Sequence, residues 1–352
     1  MIRHLTLHLT NACNLKCEYC HVSAIRNASN TNGFINDCDL MKLFSESVYS
    51  VSVAGGEPFL DKQRLYHLLD MIPSAVQSVA VTTNGTLLDD KDFVFLKSRN
   101  VRLRFSIDGK KGNHEANRGE HTYEIVKGNI DKAIYYGLRV DLLTTVSNSN
   151  IDYIIPFVKE IDKDGINNIT LLHFTPKGRG KAHNFEEVED VEWFGLVTTI
   201  GEKLSNNYTR VWIQPRFLTK ELVKYCNSTR EITFCNCFNP KYAYVDLTTG
   251  DVYPCGLSFG TPLLFGNISN PFIRTINDVV KSNKQFLIPE ECFDCQYLSS
   301  CKGGAKCYSW LETNDYNKKD PHCTGNSLLP ICPFPAILVS GPPMQTKQPT
   351  VV

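Results

Sequence analysis

The first part of the chain alternates short apolar segments with segments that have helical periodicity. The apolar segments are rich in Val, Ile, Leu, Thr and Phe, and their lengths suit buried parallel strands. The predicted strands are Leu5–Leu9, Ser50–Ala54, Ser78–Thr82, Arg102–Ile107, Val140–Thr145 and Ile169–His173. The predicted helices span about residues 39–48, 62–71, 89–98, 123–136 and 151–164. This alternation predicts an α/β fold of right-handed βαβ units around a parallel sheet or partial barrel.

Charge and composition exclude several classes of protein. The 37 basic and 37 acidic residues give a formal net charge of zero, so we expect no nucleic-acid-binding surface. The length of 352 residues allows one large domain and a smaller one. No apolar run reaches the ~18 residues of a membrane-spanning helix, and the N-terminus does not resemble a signal peptide. We therefore expect a cytoplasmic protein that binds no membrane.

Three cysteines with C-x3-C-x2-C spacing, Cys13, Cys17 and Cys20, follow the first predicted strand. A [4Fe–4S] cluster takes four thiolates, so three close cysteines leave one iron open. An open position at a metal indicates a catalytic site. A structural Cys3His zinc site with His21 is the alternative. However, adjacent Cys20 and His21 are poorly spaced to reach one ion, and no second C-x2-C or H-x3-H pair is nearby.

This motif after a first strand resembles the signature of the radical S-adenosylmethionine (SAM) enzymes. The resemblance implies a (β/α)6 partial barrel with its site at the carboxyl ends of the strands. It also implies that SAM chelates the open iron. Reductive cleavage of SAM would then give a 5′-deoxyadenosyl radical that takes hydrogen from an unactivated carbon.

The segment Gly55, Gly56 and Glu57 resembles the GGE motif of these enzymes, whose backbone and carboxylate hold the amino group of SAM. Taken alone, Gly-Gly-Glu-Pro is as well explained by a turn. Asn84 stands in a Thr-Asn-Gly sequence that lies near SAM in the family, although Asn-Gly is itself a strong turn signal.

Two further residues receive SAM roles from the resemblance. Ser106 is expected to bond the ribose or the carboxylate of SAM. Arg118 is expected to pair with the carboxylate, a contact that suits a guanidinium. A solvated surface arginine is the alternative for Arg118. The basic loop 173–181 resembles the loop after the last barrel strand, and it receives no residue-level role.

The later cysteines resemble those of a SPASM extension, which carries two auxiliary [4Fe–4S] clusters. The resemblance implies three clusters in all, and it assigns the auxiliary ligands in two sets. The first set is Cys237, Cys255 and Cys307 with Cys235 as the fourth ligand (Cys226 being the alternative), and the second is Cys292, Cys295, Cys301 and Cys323. The family has C-x3-C where this chain has the longer Cys301-to-Cys307 spacing. A zinc ribbon-like site from Cys292, Cys295, Cys301 and Cys307 is the alternative.

These features predict four regions. They are a radical SAM partial barrel at 1–184, a bridging helical linker at 185–230, a small cysteine-rich α+β SPASM domain at 231–325 and a Pro-rich tail at 326–352. Proline at the density found in the tail excludes a helix, so we expect it to lie extended along the surface or over the SPASM domain. Cys38 and Cys332 have no expected partner.

The resemblance implies a maturase that crosslinks side chains of a ribosomally made precursor peptide, through a carbon–carbon or thioether bond. Peptide epimerisation, sulfatase-type formylglycine formation, small-molecule alcohol oxidation and a non-enzymatic zinc-binding protein are the alternatives. The formylglycine-forming enzymes have an aspartate where this chain has Gly256, which disfavours that alternative. The auxiliary clusters are expected to accept an electron or to bind substrate.

The expected partners are the peptide and a low-potential electron donor such as flavodoxin or ferredoxin. The sequence given has ten residues before Asn11, so we expect no N-terminal leader-binding domain. A leader would then need a separate binding protein or a groove in the linker, unless the substrate has none.

Overall fold

The structure is a computed structural model, and it describes most of the chain. The described residues are 2–26, 33–162, 165–183, 185–204, 209–213, 217–219, 241–281, 287–323, 328–330 and 337–340. Cys226, Cys235, Cys237 and Cys332 lie outside these residues, as does much of the predicted linker.

The strands divide into a principal sheet and two short pairs. They are β1 (His4–His8), β2 (Ala12–Cys13), β3 (Ile25–Arg26), β4 (Ser50–Ala54), β5 (Ser78–Thr83), β6 (Arg102–Ser106), β7 (Val140–Val146), β8 (Ile166–His173), β9 (Arg210–Ile213), β10 (Phe217–Thr219), β11 (Tyr242–Asp246), β12 (Asp251–Tyr253), β13 (Gly266–Asn267), β14 (Leu328–Pro330) and β15 (Ile337–Ser340).

The helices lie mainly between the strands of the first half. They are α1 (Asp37–Leu43), α2 (Lys62–Met71), α3 (Asp90–Ser98), α4 (Lys111–Arg118), α5 (Thr122–Tyr135), α6 (Ile151–Ile161), α7 (Arg179–Ala182), α8 (Asp190–Lys203), α9 (Ile276–Lys281), α10 (Leu298–Cys301) and α11 (Lys306–Thr313). Within the described residues, no helix is both long and apolar enough to cross a lipid bilayer.

The principal sheet has the strand order β13-β12-β11-β1-β4-β5-β6-β7-β8-β9-β15. The six predicted strands form its centre, and every neighbouring pair among them is parallel. Two unpredicted strands extend the parallel part, because β11 pairs with β1 and β9 pairs with β8. The predicted fold class, a partial barrel of βα units, is confirmed.

The strands have two different faces. Every second residue of a strand packs into a continuous apolar core beneath the helices. Examples are Val51 and Val53 of β4, and Leu103 and Phe105 of β6. The alternate residues face away from that core, because side chains of a strand alternate between its faces. We call this second surface the inner face; several of its residues, including Ser52 of β4, are only half-buried.

The cysteine-rich region is joined to the barrel by the sheet itself. Strands β11, β12 and β13 continue the principal sheet beyond β1. Two segments of the tail are described. β14 pairs antiparallel with β10, and β15 pairs antiparallel with β9 at the opposite edge of the principal sheet. Both described segments are therefore extended, as the proline content predicts.

Candidate active site

The cysteine loop, residues 11–26, begins where β1 ends. Its strand β2 pairs with β3, so Cys13 lies at the start of a closed loop that also contains Cys17 and Cys20. The N–H groups of Gly56 and Glu57 donate to the carbonyls of Thr10 (2.6 Å) and Ala12 (2.8 Å). The predicted GGE segment therefore lies directly against the predicted cluster loop.

The sulfur environment in this loop fits a [4Fe–4S] cluster. Cys13 is buried, and its Sγ accepts from the Leu15 N–H at 3.4 Å, while the Sγ of Cys20 accepts from the Ala24 N–H at 3.4 Å. Burial raises the pKa of the Cys13 thiol to about 12, a shift that bound iron reverses because it stabilises the thiolate. None of the ten described cysteines forms a disulfide, so all three thiols of the loop can bind metal.

The zinc alternative makes a different demand on the ligands. In the part of the chain that the structure describes, no three His, Cys, Asp or Glu side chains surround a point where a single ion could bind. A tetrahedral zinc site needs its ligands on one ion, whereas the thiolates of a [4Fe–4S] cluster bind separate irons.

Glu57 is fully buried at the carboxyl end of β4. Its carboxylate accepts three hydrogen bonds, from Thr83 Oγ1 (2.8 Å), the Asn84 N–H (2.7 Å) and the Phe59 N–H (3.1 Å). Burial raises its pKa to about 7. A carboxylate has about four lone-pair positions, so the side chain keeps one position for the predicted ammonium contact.

Asn84 connects the end of β5 to the cysteine loop. Its Nδ2 donates to Asn14 Oδ1 at 2.8 Å and lies 3.8 Å from Cys13 Sγ, while its Oδ1 accepts from Thr86. The side chain thus faces the predicted cluster site, as the SAM assignment requires. Ser106 is half-buried at the end of β6 on the inner face.

Arg118 is the last residue of α4, a helix that the sequence analysis missed. Its guanidinium pairs with Asp108 through Nε (2.6 Å) and Nη2 (3.2 Å), and it lies 5.4 Å from the Tyr19 ring centroid. Tyr19, within the cysteine loop, also donates to Asp108. Arg118 is therefore near the loop as expected, but in this structure its partner is Asp108. The pairing with the SAM carboxylate stays a prediction.

The second predicted auxiliary set comes together in the cysteine-rich region. Cys323 and Cys295 add to the burial that raises the pKa of Cys292, and burial with a contribution from Cys323 raises that of Cys301 to about 11. The Cys295 N–H donates to the Cys292 carbonyl at 3.1 Å. Cys323 is thus near both Cys292 and Cys301, and Cys295 is near Cys292.

The first predicted auxiliary set is described only in part. The thiols of Cys255 and Cys307 are hydrogen-bonded, and this contact lowers the pKa of Cys255 to about 6. This hydrogen bond shows that the longer spacing after Cys301 still brings Cys307, which is buried, to Cys255. The other predicted ligands, Cys235 or Cys226 and Cys237, lie outside the described residues.

The basic loop after β8 contacts both cysteine sites, which the sequence analysis did not predict. Arg179 donates to the carbonyls of Cys17 (2.9 Å) and Ala24 (2.6 Å) in the cysteine loop. Lys177, which is buried, donates to the carbonyls of Leu257 (3.0 Å) and Phe259 beside Cys255. The only sequence signal was a run of basic residues after a strand end.

Replacing Lys177 by methionine should destabilise the protein by about 1–3 kcal/mol, because the carbonyls of Leu257 and Phe259 then lose a buried charged donor. Urea unfolding of the metal-free chain measures this. The matched control is Lys181→Met, since Lys181 is exposed and should change stability by less than about 0.5 kcal/mol. Equal losses in the two variants would contradict the structural role of Lys177.

The family model of the Radical SAM superfamily matches residues 7–161, from β1 to α6. This stretch contains the cysteine loop and the Gly-Gly-Glu segment packed against it. Residues 7–161 therefore form a radical SAM domain. The chain is an enzyme, and the radical SAM match implies a [4Fe–4S] cluster and SAM, which the thiols of the cysteine loop fit.

Relatives of this radical SAM enzyme match most of its length. It is 28% identical over 286 residues to an uncharacterised protein of Methanocaldococcus jannaschii, covering 76% of this chain and 90% of that protein. It is 24% identical over 346 residues to a cysteine-type anaerobic sulfatase-maturating enzyme of Clostridium perfringens, covering 87% and 89%.

Solved structures extend the likeness into the cysteine-rich region. SuiB of Streptococcus suis, bound to S-adenosylmethionine, superimposes with a TM-score of 0.70 at 16% identity, covering 92% of this chain and 77% of SuiB. SuiB bound to its precursor peptide SuiA gives a TM-score of 0.68. The predicted architecture, a radical SAM barrel with a SPASM-type extension, is thus confirmed at the level of the fold.

Proposed function

We propose that this radical SAM enzyme modifies a ribosomally made precursor peptide and joins two of its side chains by a carbon–carbon or thioether bond. The observation that carries the proposal is the loop after β8, which holds the cysteine loop through Arg179 and the Cys255 segment through Lys177. One loop thus contacts both cysteine segments, which supports a second cluster near the first. When bound, the cluster and SAM supply a 5′-deoxyadenosyl radical that removes hydrogen from an unactivated carbon.

The residues of the chain have distinct tasks in this proposal. Cys13, Cys17 and Cys20 hold the cluster, and Glu57 with the Gly55–Gly56 backbone orients the amino group of SAM. Asn84 fixes the loop against β5. Burial of Cys13, Glu57 and Asn84 helps to exclude water from the reaction.

The peptide substrate is supported by the fold likeness to SuiB, whose structure was solved with a precursor peptide. The sulfatase-maturating relative supports the second candidate, formylglycine formation. The structure offers no side chain at Gly256, where the formylglycine-forming enzymes have an aspartate, so crosslinking remains our proposal. We also propose three clusters and a flavodoxin or ferredoxin as electron donor.

The first test measures cluster content. Anaerobically reconstituted enzyme should hold about twelve irons, because three [4Fe–4S] clusters have four each. Cys255→Ala and Cys292→Ala should each lose about four irons, whereas Cys17→Ala should lose four and all SAM cleavage. Cys38→Ala, at an exposed cysteine in α1, is the control and should lose none. Colourless protein that binds zinc would exclude the whole proposal.

The second test identifies the reaction. Small peptides encoded beside the gene are incubated with the reconstituted enzyme, SAM and dithionite in deuterated water. A crosslink removes two hydrogen atoms from the peptide and leaves a ring-shaped fragmentation pattern. Epimerisation leaves the bonding unchanged but incorporates solvent deuterium, and formylglycine reacts with a hydrazide. Either of these two results would replace the crosslinking proposal.

A further inference from the structure

The inner face of the sheet has a belt of polar side chains that is separate from the SAM residues. It consists of Arg102 and Arg104 on β6, Asp141 on β7, Asn168 on β8 and Trp212 on β9. Closed barrels of parallel strands are usually filled here by bulky apolar side chains. In this chain the belt is charged, although its neighbours Leu103 and Phe105 on the opposite face are fully buried in the core.

Hydrogen bonds join the belt across four neighbouring strands. Arg102 Nη1 donates to Asp141 Oδ2 at 3.1 Å, and Asn168 Nδ2 donates to Asp141 Oδ1 at 2.6 Å. Trp212 Nε1 donates to Asn168 Oδ1 at 2.8 Å. Trp212 is therefore connected to the Asp141 carboxylate through Asn168, and we expect its fluorescence to respond to changes at that carboxylate.

Among the residues that the structure describes, the charges of the belt do not balance. Two guanidiniums share one carboxylate, since Arg104 Nε lies 3.9 Å from the same Asp141 oxygen that Arg102 binds. Arg102 Nε is buried and has no hydrogen-bond partner within the described residues. Burial and the charge of Arg102 also lower the pKa of Arg104, against the effect of Asp141. A buried positive charge without a counter-ion is costly, so this place favours an anion.

The belt continues the row of inner-face residues on β6 that ends at the predicted SAM residue Ser106. The side chain of Arg104 remains 15% exposed, compared with 7% for Arg102. Ser106 lies two residues beyond Arg104 on the same face of β6 and is also half-buried. Because a strand rises about 3.3 Å per residue, Arg104 lies about 7 Å below Ser106, at the depth a substrate side chain would reach.

We propose that Arg102 and Arg104 form a carboxylate-binding site, which anchors an acidic side chain or the C-terminal carboxylate of the substrate beneath the SAM site. This inference rests on the proposed function only for the substrate being a peptide. The carboxylate supplies the missing negative charge and accepts from the guanidiniums, whose planar donors match its geometry. The site selects the substrate and takes no part in the radical chemistry.

Calorimetry on the full reconstituted chain with SAM at low salt tests the site, and Trp212 fluorescence gives a second readout. Three acetylated pentapeptides serve as probes: amidated Gly-Gly-Glu-Gly-Gly, its amidated glutamine twin, and the glutamine peptide with a free C-terminus. At least one carboxylate probe should bind about tenfold tighter than the amidated glutamine twin, since a charged hydrogen bond contributes at least about 1.5 kcal/mol. Which one binds tighter identifies the source of the carboxylate.

The variants decide whether this preference belongs to the belt. Arg104→Gln should abolish the preference for a carboxylate probe over the amidated glutamine peptide. Asp141→Asn should increase this preference, because the competing carboxylate is removed. Arg99→Gln, at an exposed arginine paired with Asp70, is the control and should leave it unchanged. If Arg104→Gln fails to fold, Asp141→Asn and Arg102→Gln still test the site independently.

Two results would overturn the proposal. They are equal binding of all three probes and a preference that survives both Arg104→Gln and Arg102→Gln. Failure of SAM cleavage with an intact carboxylate preference would instead reject the proposed function and leave the site standing.

Discussion

We expect Gly56→Ala to abolish SAM cleavage and to displace the cysteine loop. A Cβ on Gly56 would lie 2.0 Å from the Ala12 carbonyl oxygen and 2.6 Å from its carbon. Neither the Gly56 segment nor the Ala12 segment can shift easily. The Ala12 carbonyl oxygen also accepts the Glu57 N–H, and β2, which contains Ala12, is paired with β3. The backbone beside Cys13 must therefore move. Overpacking of this kind costs about 1–3 kcal/mol or more.

Urea unfolding, iron content and SAM cleavage measure the effect of Gly56→Ala. The matched control is Gly128→Ala in α5, where a Cβ meets nothing within 4 Å. Gly128 is an exposed helical residue, and its replacement by alanine should raise the free energy of unfolding by about 1 kcal/mol, because alanine has the higher helix propensity. A Gly56→Ala enzyme that keeps full stability and normal SAM cleavage would show that the contact is not required.

The core of the fold was predictable from local sequence. Strands such as β4 and β5 were placed within one residue of their ends, because their apolar residues fill the shared core. Helix α4 was missed since Lys111–Arg118 is polar and has Gly112 near its start. It is held by burial of His114 and Asn117, a tertiary effect that local periodicity does not contain.

The site was predictable only where its residues adjoin strand ends in a recognisable motif. The cysteine loop and Gly55–Glu57 meet as the resemblance implied. Lys177 reaches Leu257, which is 80 residues further along the chain, and nothing near Lys177 specifies that partner. The arginine belt was hidden for another reason. Arg102 and Arg104 alternate with core residues, and a strand pattern does not tell whether its second face meets solvent or a site.

Asp108→Asn should destabilise the protein by about 3–5 kcal/mol, because it leaves a buried guanidinium without its counter-ion. Asp108 is fully buried, and the Arg118 side chain is only 10% exposed. Burial alone lowers the pKa of Arg118, but Asp108, Tyr19 and Cys17 raise it well above its usual value. A guanidinium is not deprotonated in proteins, so Arg118 stays charged when Asp108 is neutralised. Urea unfolding of the metal-free chain measures the loss.

Asp70→Asn is the control. Asp70 forms an exposed ion pair with Arg99, so this substitution should lower the free energy of unfolding by less than about 1 kcal/mol. A double variant, Asp108→Asn with Arg118→Gln, should lose less than the sum of the single losses, since the unpaired charge is gone. Strictly additive losses would mean that the pair does not act as a unit. Because Tyr19 also donates to Asp108, Asp108→Asn should lower the iron bound by the cysteine loop as well, and Asp70→Asn should not.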